Sequence, residues 1–277
     1  VSRSDEAKAL GIKMGEPYFR IRQEFSDAGI VALSSNYPLY GDMSSRMMSL
    51  SAGLGHRQEV YSIDESFIDL SGIRGNLVSR AQIVRQRIRV GLGLPTAVGI
   101  GPTKTLAKLA NHIAKCAARK PGSYPPEFAH VCDLAALPES DIDALFCVTP
   151  VGEVWGIGRR IGAQLQAAGI ATVSDFIDLP PSLVRSRWSV QLERTVRELQ
   201  GQPCLGMDDG VASKKQIACT RSFGHPVTTM VELRQAVTEF STRAAQKLRQ
   251  AKCHAGELLV FIHTSPFRKT AQYSNAV

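Results

Sequence analysis

Two adjacent carboxylates, Asp64 and Glu65, are the residues around which this sequence is organised. They interrupt a run rich in β-branched and aromatic residues, so strands are predicted over 60–63 and 67–70. Neighbouring side chains on a flat strand point to opposite faces, so two adjacent carboxylates converge only where the backbone turns. The pattern predicts a tight hairpin whose acidic tip offers oxygen ligands to Mg²⁺. The alternative is a polar turn between two strands.

A basic helix is the second candidate. Residues 101–120 contain five cations and no acid, namely Lys104, Lys108, Lys115, Arg119 and Lys120. At about 100° per residue, the first four of these fall within an arc of roughly 60° on one helix face. Solvated lysine-rich faces usually carry interspersed glutamates. We therefore interpret this face as one that contacts phosphates.

A glycine-rich turn is the third candidate. Gly156-Ile157-Gly158 precedes Arg159, and Gly169 closes the helix predicted after it. Glycines let backbone N–H groups approach a phosphate, and a helix N-terminus favours an anion. The pattern is typical of a helix-hairpin-helix that grips a nucleic-acid backbone. The alternative is an ordinary tight turn between two helices.

Composition limits the class of protein. The chain has 277 residues, enough for two or three domains, and a formal net charge of +8, which favours a polyanionic partner. Its six cysteines are scattered without a Cys-x-x-Cys pair, which argues against a zinc site or a disulfide framework and favours a reducing compartment. The longest apolar run, 258–262, is far too short to span a membrane.

The order of predicted elements indicates how these sites are positioned. A helix over about 40–50, the acidic hairpin, a helix whose apolar face includes Ala81, Val84 and Ile88, and a strand over 96–100 follow one another. This order is that of a split βαββαβ domain without its opening strand, which would lie upstream of Val1. A helical unit follows, then a polar linker over 206–214. The last segment is predicted to be a small β-α-β unit with strands over 216–223 and 258–263.

Three motifs in this order resemble the Y-family (translesion) DNA polymerases: residues 61–67, residues 99–111 and the Gly156–Gly158 turn. Residues 6–15, 154–160 and 192–199 resemble the UmuC branch of that family. The resemblance implies an α+β right-hand fold whose ferredoxin-like palm lacks its first strand. It divides the chain into partial fingers (1–36), palm (37–133), a helix-hairpin-helix thumb (134–206) and an incomplete little finger (210–277).

The resemblance also implies roles for individual residues. Asp64 and Glu65 would be catalytic carboxylates that bind two Mg²⁺ ions, while Lys8 and Lys115 would contact the incoming nucleotide. The family's first metal carboxylate lies on the opening strand that this sequence lacks, and Asp5 stands where many relatives carry a triphosphate-binding tyrosine. The implied DNA contacts are Lys104, Lys108, Gly156, Gly158, Arg159, Arg221 and Ser222.

By this resemblance, the chain would carry out error-prone translesion DNA synthesis in the SOS response, in the bacterial cytoplasm. Its partners would be primer-template DNA, dNTPs, a UmuD′-type accessory dimer, the RecA filament and the sliding clamp, and no membrane. Two alternatives stay open. The chain would be a non-catalytic DNA-binding fragment if the missing carboxylate leaves it inactive. A nucleotide cyclase also uses a ferredoxin-like palm with an acidic hairpin, but the Gly156–Gly158 turn has no place in one.

Overall fold

A computed structural model describes residues 1–208, 215–267, 269 and 271–277. By its internal contacts the chain divides into two compact units, Val1–Gly210 and Val211–Val277. This division falls within the predicted linker, of which residues 209–214 lie outside the described residues, as does the predicted start of the little finger at residue 210. None of the helices in the described ranges combines the length and apolar character that crossing a membrane requires.

Helices dominate both units. The first unit contains α1 (Asp5–Ala9), α2 (Tyr18–Asp27), α3 (Tyr37–Ser51), α4 (Leu77–Leu92), α5 (Lys104–Arg119), α6 (Glu139–Val148), α7 (Arg159–Ala167), α8 (Val173–Ile177), α9 (Pro181–Arg187) and α10 (Val190–Leu199). Its strands are β1 (Arg57–Val60), β2 (Ser66–Asp69), β3 (Val98–Ile100) and β4 (Val131–Asp133). The second unit contains α11 (Met230–Gln250), β5 (Phe261–His263) and β6 (Ser274–Ala276).

The strands of the first unit form two separate pairs. Strands β1 and β2 are antiparallel, with Val60 opposite Ser66, and form the predicted hairpin. Strands β3 and β4 are parallel, and α5 connects them. Within the described residues no strand joins the two pairs into one sheet.

Helix α4 packs one apolar face against both strand pairs. Asn76 caps its N-terminus by accepting from Ser79 N–H, and Gly93 ends it in the left-handed region at φ 72°. The predicted face is confirmed, because Ala81, Val84 and Ile88 are buried. They belong to a cluster that draws in residues of three strands, namely Ile68, Val98, Ile100 and Val131.

Helix α5 lies in the largest hydrophobic core. Its apolar side of Leu106, Leu109 and Ile113 shares one cluster with residues of the predicted thumb such as Phe146 and Val196. The predicted palm–thumb boundary between residues 133 and 134 therefore passes through a continuous core. The backbone of α5 also lies directly on β3, since a Cβ atom at Gly99 would come 2.1 Å from Asn111 N and 2.2 Å from Ala107 O.

The second unit differs from the sequence-based expectation in two elements, a predicted strand that is absent and the additional strand β6. Helix α11 begins at a capping box in which Thr229 and Glu232 satisfy each other's backbone N–H groups. Strands β5 and β6 form an antiparallel pair. The predicted strand over 216–223 is wrong, because residues 215–229 contain no helix or strand. Phe223 stacks on Phe240 of α11 instead, with ring centroids 6.5 Å apart.

Candidate active site

The acidic pair lies at the tip of the β1–β2 hairpin. The N–H groups of Tyr61 and Ser62 both donate to Glu65 O at 3.0 Å, which closes the turn. Ser62 Oγ donates to Asp64 Oδ1 at 2.7 Å and holds that side chain over the turn. Asp64 is exposed and Glu65 is half-buried. The two adjacent carboxylates therefore sit on a tight turn, as the sequence predicts.

The basic face of α5 reaches this hairpin. Lys108 Nζ lies 2.7 Å from Glu65 Oε1, and Lys115 Nζ lies 3.8 Å from the same oxygen. Near the start of the helix, Lys104 forms an ion pair with Glu59 on β1. The acids that balance this acid-free helix thus come from a hairpin some 40 residues upstream. The structure brings together Glu65, Lys104, Lys108 and Lys115 of the predicted site.

The three lysines differ in how much of the side chain remains exposed: 11% for Lys104, 22% for Lys108 and 44% for Lys115. Lys104 also donates to Gly206 O at 2.7 Å. Its ammonium group therefore has two acceptors within the chain, an environment different from the solvated phosphate contact that the sequence predicts. Lys115 has the longest ion-pair distance of the three and the most exposed side chain, so it has the greatest freedom to bind a ligand.

Three aromatic rings buttress the hairpin, and sequence reasoning did not assign them to the site. Trp155, from the turn before α7, contacts Tyr61 and Phe67, with centroid distances of 5.4 and 5.5 Å. Lys104 Nζ lies 5.0 Å from the ring centre of Phe67, and Lys108 Nζ lies 5.8 Å from that of Tyr61. Cations over aromatic faces are attracted by the ring quadrupole. The sequence does contain a signal for them: Tyr61 and Phe67 flank the acidic pair, and Trp155 directly precedes the glycine-rich turn.

The glycine-rich turn opens α7 as predicted. Gly156 has φ 90°, a left-handed conformation that favours glycine, and Gly158 is the N-cap of the helix. No side chain caps this end, so the first N–H groups of α7 remain available to an anion. Arg159 and Arg160 are exposed beside them. The arrangement suits contact with a phosphate backbone.

The remaining predicted site residues lie elsewhere. Lys8 is exposed on α1, and the neighbouring residue Ala7 belongs to a small hydrophobic cluster with Ile12 and Ile21. Arg221 and Ser222 are exposed in the second unit, where Arg221 lines a shallow cleft with Arg243 and Lys247. That cleft is cationic and suits a polyanion.

Burial shifts the pKa values of two groups in this region, His112 on α5 and Cys132 on β4. Desolvation lowers the pKa of His112, an effect that Glu153, whose Oε2 lies 3.4 Å from His112 Nδ1, partly opposes. Burial also raises the pKa of the Cys132 thiol to about 12, so this thiol stays protonated at neutral pH. All six cysteines are free thiols.

The hairpin offers the type of ligand atom that Mg²⁺ prefers. Asp64 and Glu65 supply carboxylate oxygens, which a hard cation prefers. Among the described residues, no group of three or more carboxylate, histidine or cysteine ligands is gathered at one place. The two carboxylates are therefore a partial ligand set, one of them paired with Lys108 and Lys115.

Comparison with known proteins gives a consistent result. Sequence models described as the impB/mucB/samB family and its C-terminal domain match residues 1–112 and 214–277. The chain is 43% identical to protein UmuC of Salmonella typhimurium over 99% of its length, and 42% identical to protein ImpB of the same organism over all of it. It spans 63% and 64% of those two relatives.

A solved structure shows the same fold. A Y-family DNA polymerase chimera of Dbh and Dpo4 superimposes with a TM-score of 0.71 at 17% identity, covering 99% of this chain and 74% of the chimera. The resemblance noted in the sequence is therefore confirmed for family and fold. The chain belongs to the impB/mucB/samB family and has the α+β fold of Y-family DNA polymerases.

Proposed function

We propose that this chain contributes the palm and thumb of a polymerase that copies damaged DNA by template-directed nucleotidyl transfer. The observation that carries the proposal is the contact between the acidic hairpin and the basic face of α5. Glu65 lies within 3.8 Å of two lysines, and Asp64 lies beside it on an exposed turn. Carboxylates for cations and ammonium groups for phosphates are thus within reach of one nucleotide.

The contacts of each residue suggest its role in the reaction. Asp64 and Glu65 would hold two Mg²⁺ ions, which when bound supply activation of the primer 3′-hydroxyl and neutralise charge on the leaving pyrophosphate. Lys115, the most exposed of the three lysines, would exchange its long contact with Glu65 for the triphosphate. Lys108, bound at 2.7 Å, would keep Glu65 oriented.

The DNA would be held mainly through its backbone. The uncapped N-terminus of α7 and Arg159 offer N–H donors and positive charge to phosphates. Phosphate contacts position a duplex without reading its sequence, as a polymerase requires. In the second unit, Arg221 and Ser222 would add contacts of the same kind, and Lys8 would assist the nucleotide.

The setting of this activity follows from the relatives. We extend the proposal to error-prone synthesis in the SOS response, in the bacterial cytoplasm. The partners would be a UmuD′-type accessory dimer, the RecA filament and the sliding clamp. The family membership supports this extension.

Primer extension by the intact protein, with Mg²⁺ and dNTPs, tests the proposal. Asp64→Asn and Glu65→Gln keep side-chain shape and remove charge, so each should abolish incorporation while DNA affinity changes little. Asp42→Asn is the matched control, because Asp42 is an exposed carboxylate paired with Arg46 on α3. Wild-type rates in either hairpin variant would refute the assignment. DNA binding without any extension by the wild type would favour the non-catalytic DNA-binding alternative.

A further inference from the structure

Glu198 lies on helix α10, far from the acidic hairpin in sequence. Its carboxylate is completely buried. Its Oε2 accepts from Thr105 N at 2.9 Å and from Thr105 Oγ1 at 3.0 Å. Its Oε1 accepts from Cys204 N at 2.8 Å and from Leu205 N at 2.9 Å. The carboxylate therefore has four donors, all of them from this chain.

These donors place the charge at the N-terminus of α5. Thr103, the N-cap of α5, also donates its hydroxyl to the main-chain oxygen of Glu198 at 2.9 Å. A buried charge is costly unless hydrogen bonds compensate it, and charge-assisted bonds to backbone N–H groups are among the stronger ones. The positive end of the α5 dipole stabilises the same charge. Because the carboxylate is fully engaged, it has no acceptor left for a substrate.

Helix α5 is bound to the Glu198 carboxylate at its N-terminus, and we call this contact the anchor of α5. Further along, the helix carries Lys108 and Lys115 of the candidate site. Lys115 lies ten residues beyond Thr105, which corresponds to about 15 Å of helix. The helix also rests closely on β3 at Gly99, and its backbone hydrogen bonds connect the first turn with the turns that carry Lys108 and Lys115. A rotation or shift at its first turn would therefore move the ammonium groups of Lys108 and Lys115 away from Glu65.

We propose that Glu198 is a positioning residue for the nucleotide site. Its carboxylate fixes α5 against the thumb, so that Lys108 and Lys115 meet the acidic hairpin. The inference rests on the proposed function for the role of Lys115 toward the nucleotide. The positioning itself is a statement about the structure, and it can be measured without catalysis.

The chain offers a matched control on the same helix. Glu193 is also buried on α10, but its partners Arg185 and Arg197 belong to the thumb, at 3.5 and 3.0 Å. Glu193→Gln removes a buried charge from α10 and leaves the anchor of α5 in place. Glu198→Gln removes the anchor charge and turns an amide N–H₂ group toward backbone donors.

The first measurement is amine acetylation of the intact protein by an N-hydroxysuccinimide ester of acetate, with rates resolved by peptide mass spectrometry. In Glu198→Gln, Lys108 and Lys115 should react about two- to fivefold faster, the range that loss of an exposed ion pair allows. Glu193→Gln should leave both rates unchanged. A purely structural anchor would speed amide exchange at Cys204 and Leu205, whose N–H groups donate to Glu198, without changing the two lysine rates, and that result would overturn the inference.

A milder pair of variants covers the case in which Glu198→Gln does not fold. Thr105→Val keeps the side-chain shape and removes one of the four bonds to Glu198. Thr149→Val is its control, because Thr149 is a buried threonine whose hydroxyl bonds to Leu145 O and to Tyr124. Faster acetylation of Lys108 and Lys115 in Thr105→Val alone would support the inference, and equal rates in both variants would contradict it.

Kinetics supply the link to the nucleotide. In primer extension, Glu198→Gln should raise the KM for dNTP while the Kd for primer-template DNA stays close to that of Glu193→Gln. A Kd that rises with an unchanged KM would contradict positioning of the nucleotide site. If the wild-type protein extends no primer, the proposed function fails, and the acetylation rates still decide whether Glu198 positions the lysines.

Discussion

Trp155 donates its indole N–H to the phenol oxygen of Tyr61 at 3.3 Å, although the two residues lie 94 positions apart. Their rings meet edge to face, 87° apart in plane. Tyr61 begins the acidic hairpin turn, and Trp155 precedes the glycine-rich turn before α7. One hydrogen bond and one ring contact therefore connect the hairpin that carries the candidate metal ligands with the glycine-rich turn proposed to bind DNA.

We predict that Trp155 and Tyr61 are energetically coupled. Tyr61→Phe removes the acceptor and keeps the ring, while Trp155→Phe removes the donor and reduces the ring. Because both variants keep an aromatic ring, the cycle reports mainly on the hydrogen bond, and such a bond contributes about 0.5–1.5 kcal/mol net. A double-mutant cycle, with the free energy of unfolding measured in urea, should return a coupling energy in that range. Strict additivity of the two single changes would show that the contact carries no stability.

Lys115 should act on the nucleotide. Lys115→Ala should raise the dNTP concentration needed for half-maximal primer extension, because it removes the most exposed cation beside Glu65. Lys120→Ala, at the end of the same helix, is the control and should leave dNTP use unchanged. Lys108→Ala should instead lower the rate of incorporation with little change in DNA affinity, because Lys108 lies 2.7 Å from Glu65 and orients that carboxylate. An unaltered dNTP dependence in Lys115→Ala would remove it from the site.

Gly99→Ala should destabilise the first unit strongly. The added Cβ would lie 2.1 Å from Asn111 N and 2.2 Å from Ala107 O, and backbone atoms cannot yield as a side chain can. Overpacking typically costs about 1–3 kcal/mol, and contact with backbone places this change at the upper end or beyond. Gly91→Ala in α4 is the control, because nothing lies within 4 Å of its Cβ.

In thermal melts, Gly91→Ala should raise stability by about 0.5–1 kcal/mol, since glycine is a poor helix former. Equal melting temperatures for the two glycine variants would mean that α5 and β3 do not pack as described.

His112 should make the first unit less stable as pH falls. Burial lowers its pKa in the folded state below the ordinary value near 6.5, so the unfolded chain binds the proton more readily. The stability that neutral His112 contributes is therefore complete above about pH 7 and is lost as pH falls through 6.5 toward the lowered folded value. His130 has a pKa shifted in the same direction and contributes to the same window.

Urea unfolding between pH 8 and 5.5 tests this dependence. Wild type should lose stability over that range, and His112→Gln should lose measurably less. His254→Gln, which changes an exposed histidine, should follow the wild type. Identical pH slopes in wild type and His112→Gln would show that the imidazole is not held neutral by its surroundings.

Much of this fold could be read from local sequence signals. The hairpin, α4 and α5 follow from periodicity and from the residues that end each element, and the Gly158 N-cap follows from the Gly-x-Gly pattern. Each of these signals involves residues within a few positions of one another, so spacing is enough to reveal them.

The ion pairs of α5 could not be read in this way. Spacing shows that Lys104, Lys108 and Lys115 share a helix face, but not what that face meets. Their acids, Glu59 and Glu65, lie more than 40 residues earlier in the chain and reach α5 only through tertiary packing. The predicted phosphate-binding face is therefore also an internal interface.

The predicted strand over 216–223 failed for a related reason. Its alternating residues have strand character, but a strand exists only where a neighbouring strand accepts its hydrogen bonds. Here Lys247 from α11 donates to Ala218 O at 3.1 Å and occupies one of those carbonyl groups. Strand β4 is not predicted from the sequence, because it forms through its parallel contact with β3, some 30 residues earlier, and not through a local pattern.

The continuous core between α5 and helices α6–α10 limits which parts of such proteins can be exchanged. If recombination between two relatives joined them at residue 134, Leu109 and Ile113 of one parent would face Phe146 and Val196 of the other. A crossover before β3, near residue 95, would keep those contacts within a single parent, but it would divide the cluster in which Ala81, Val84 and Ile88 of α4 meet Val98, Ile100 and Val131. Folded hybrids should therefore inherit α5 together with α6–α10, and a join on either side of α5 mixes the parents in one of these two cores.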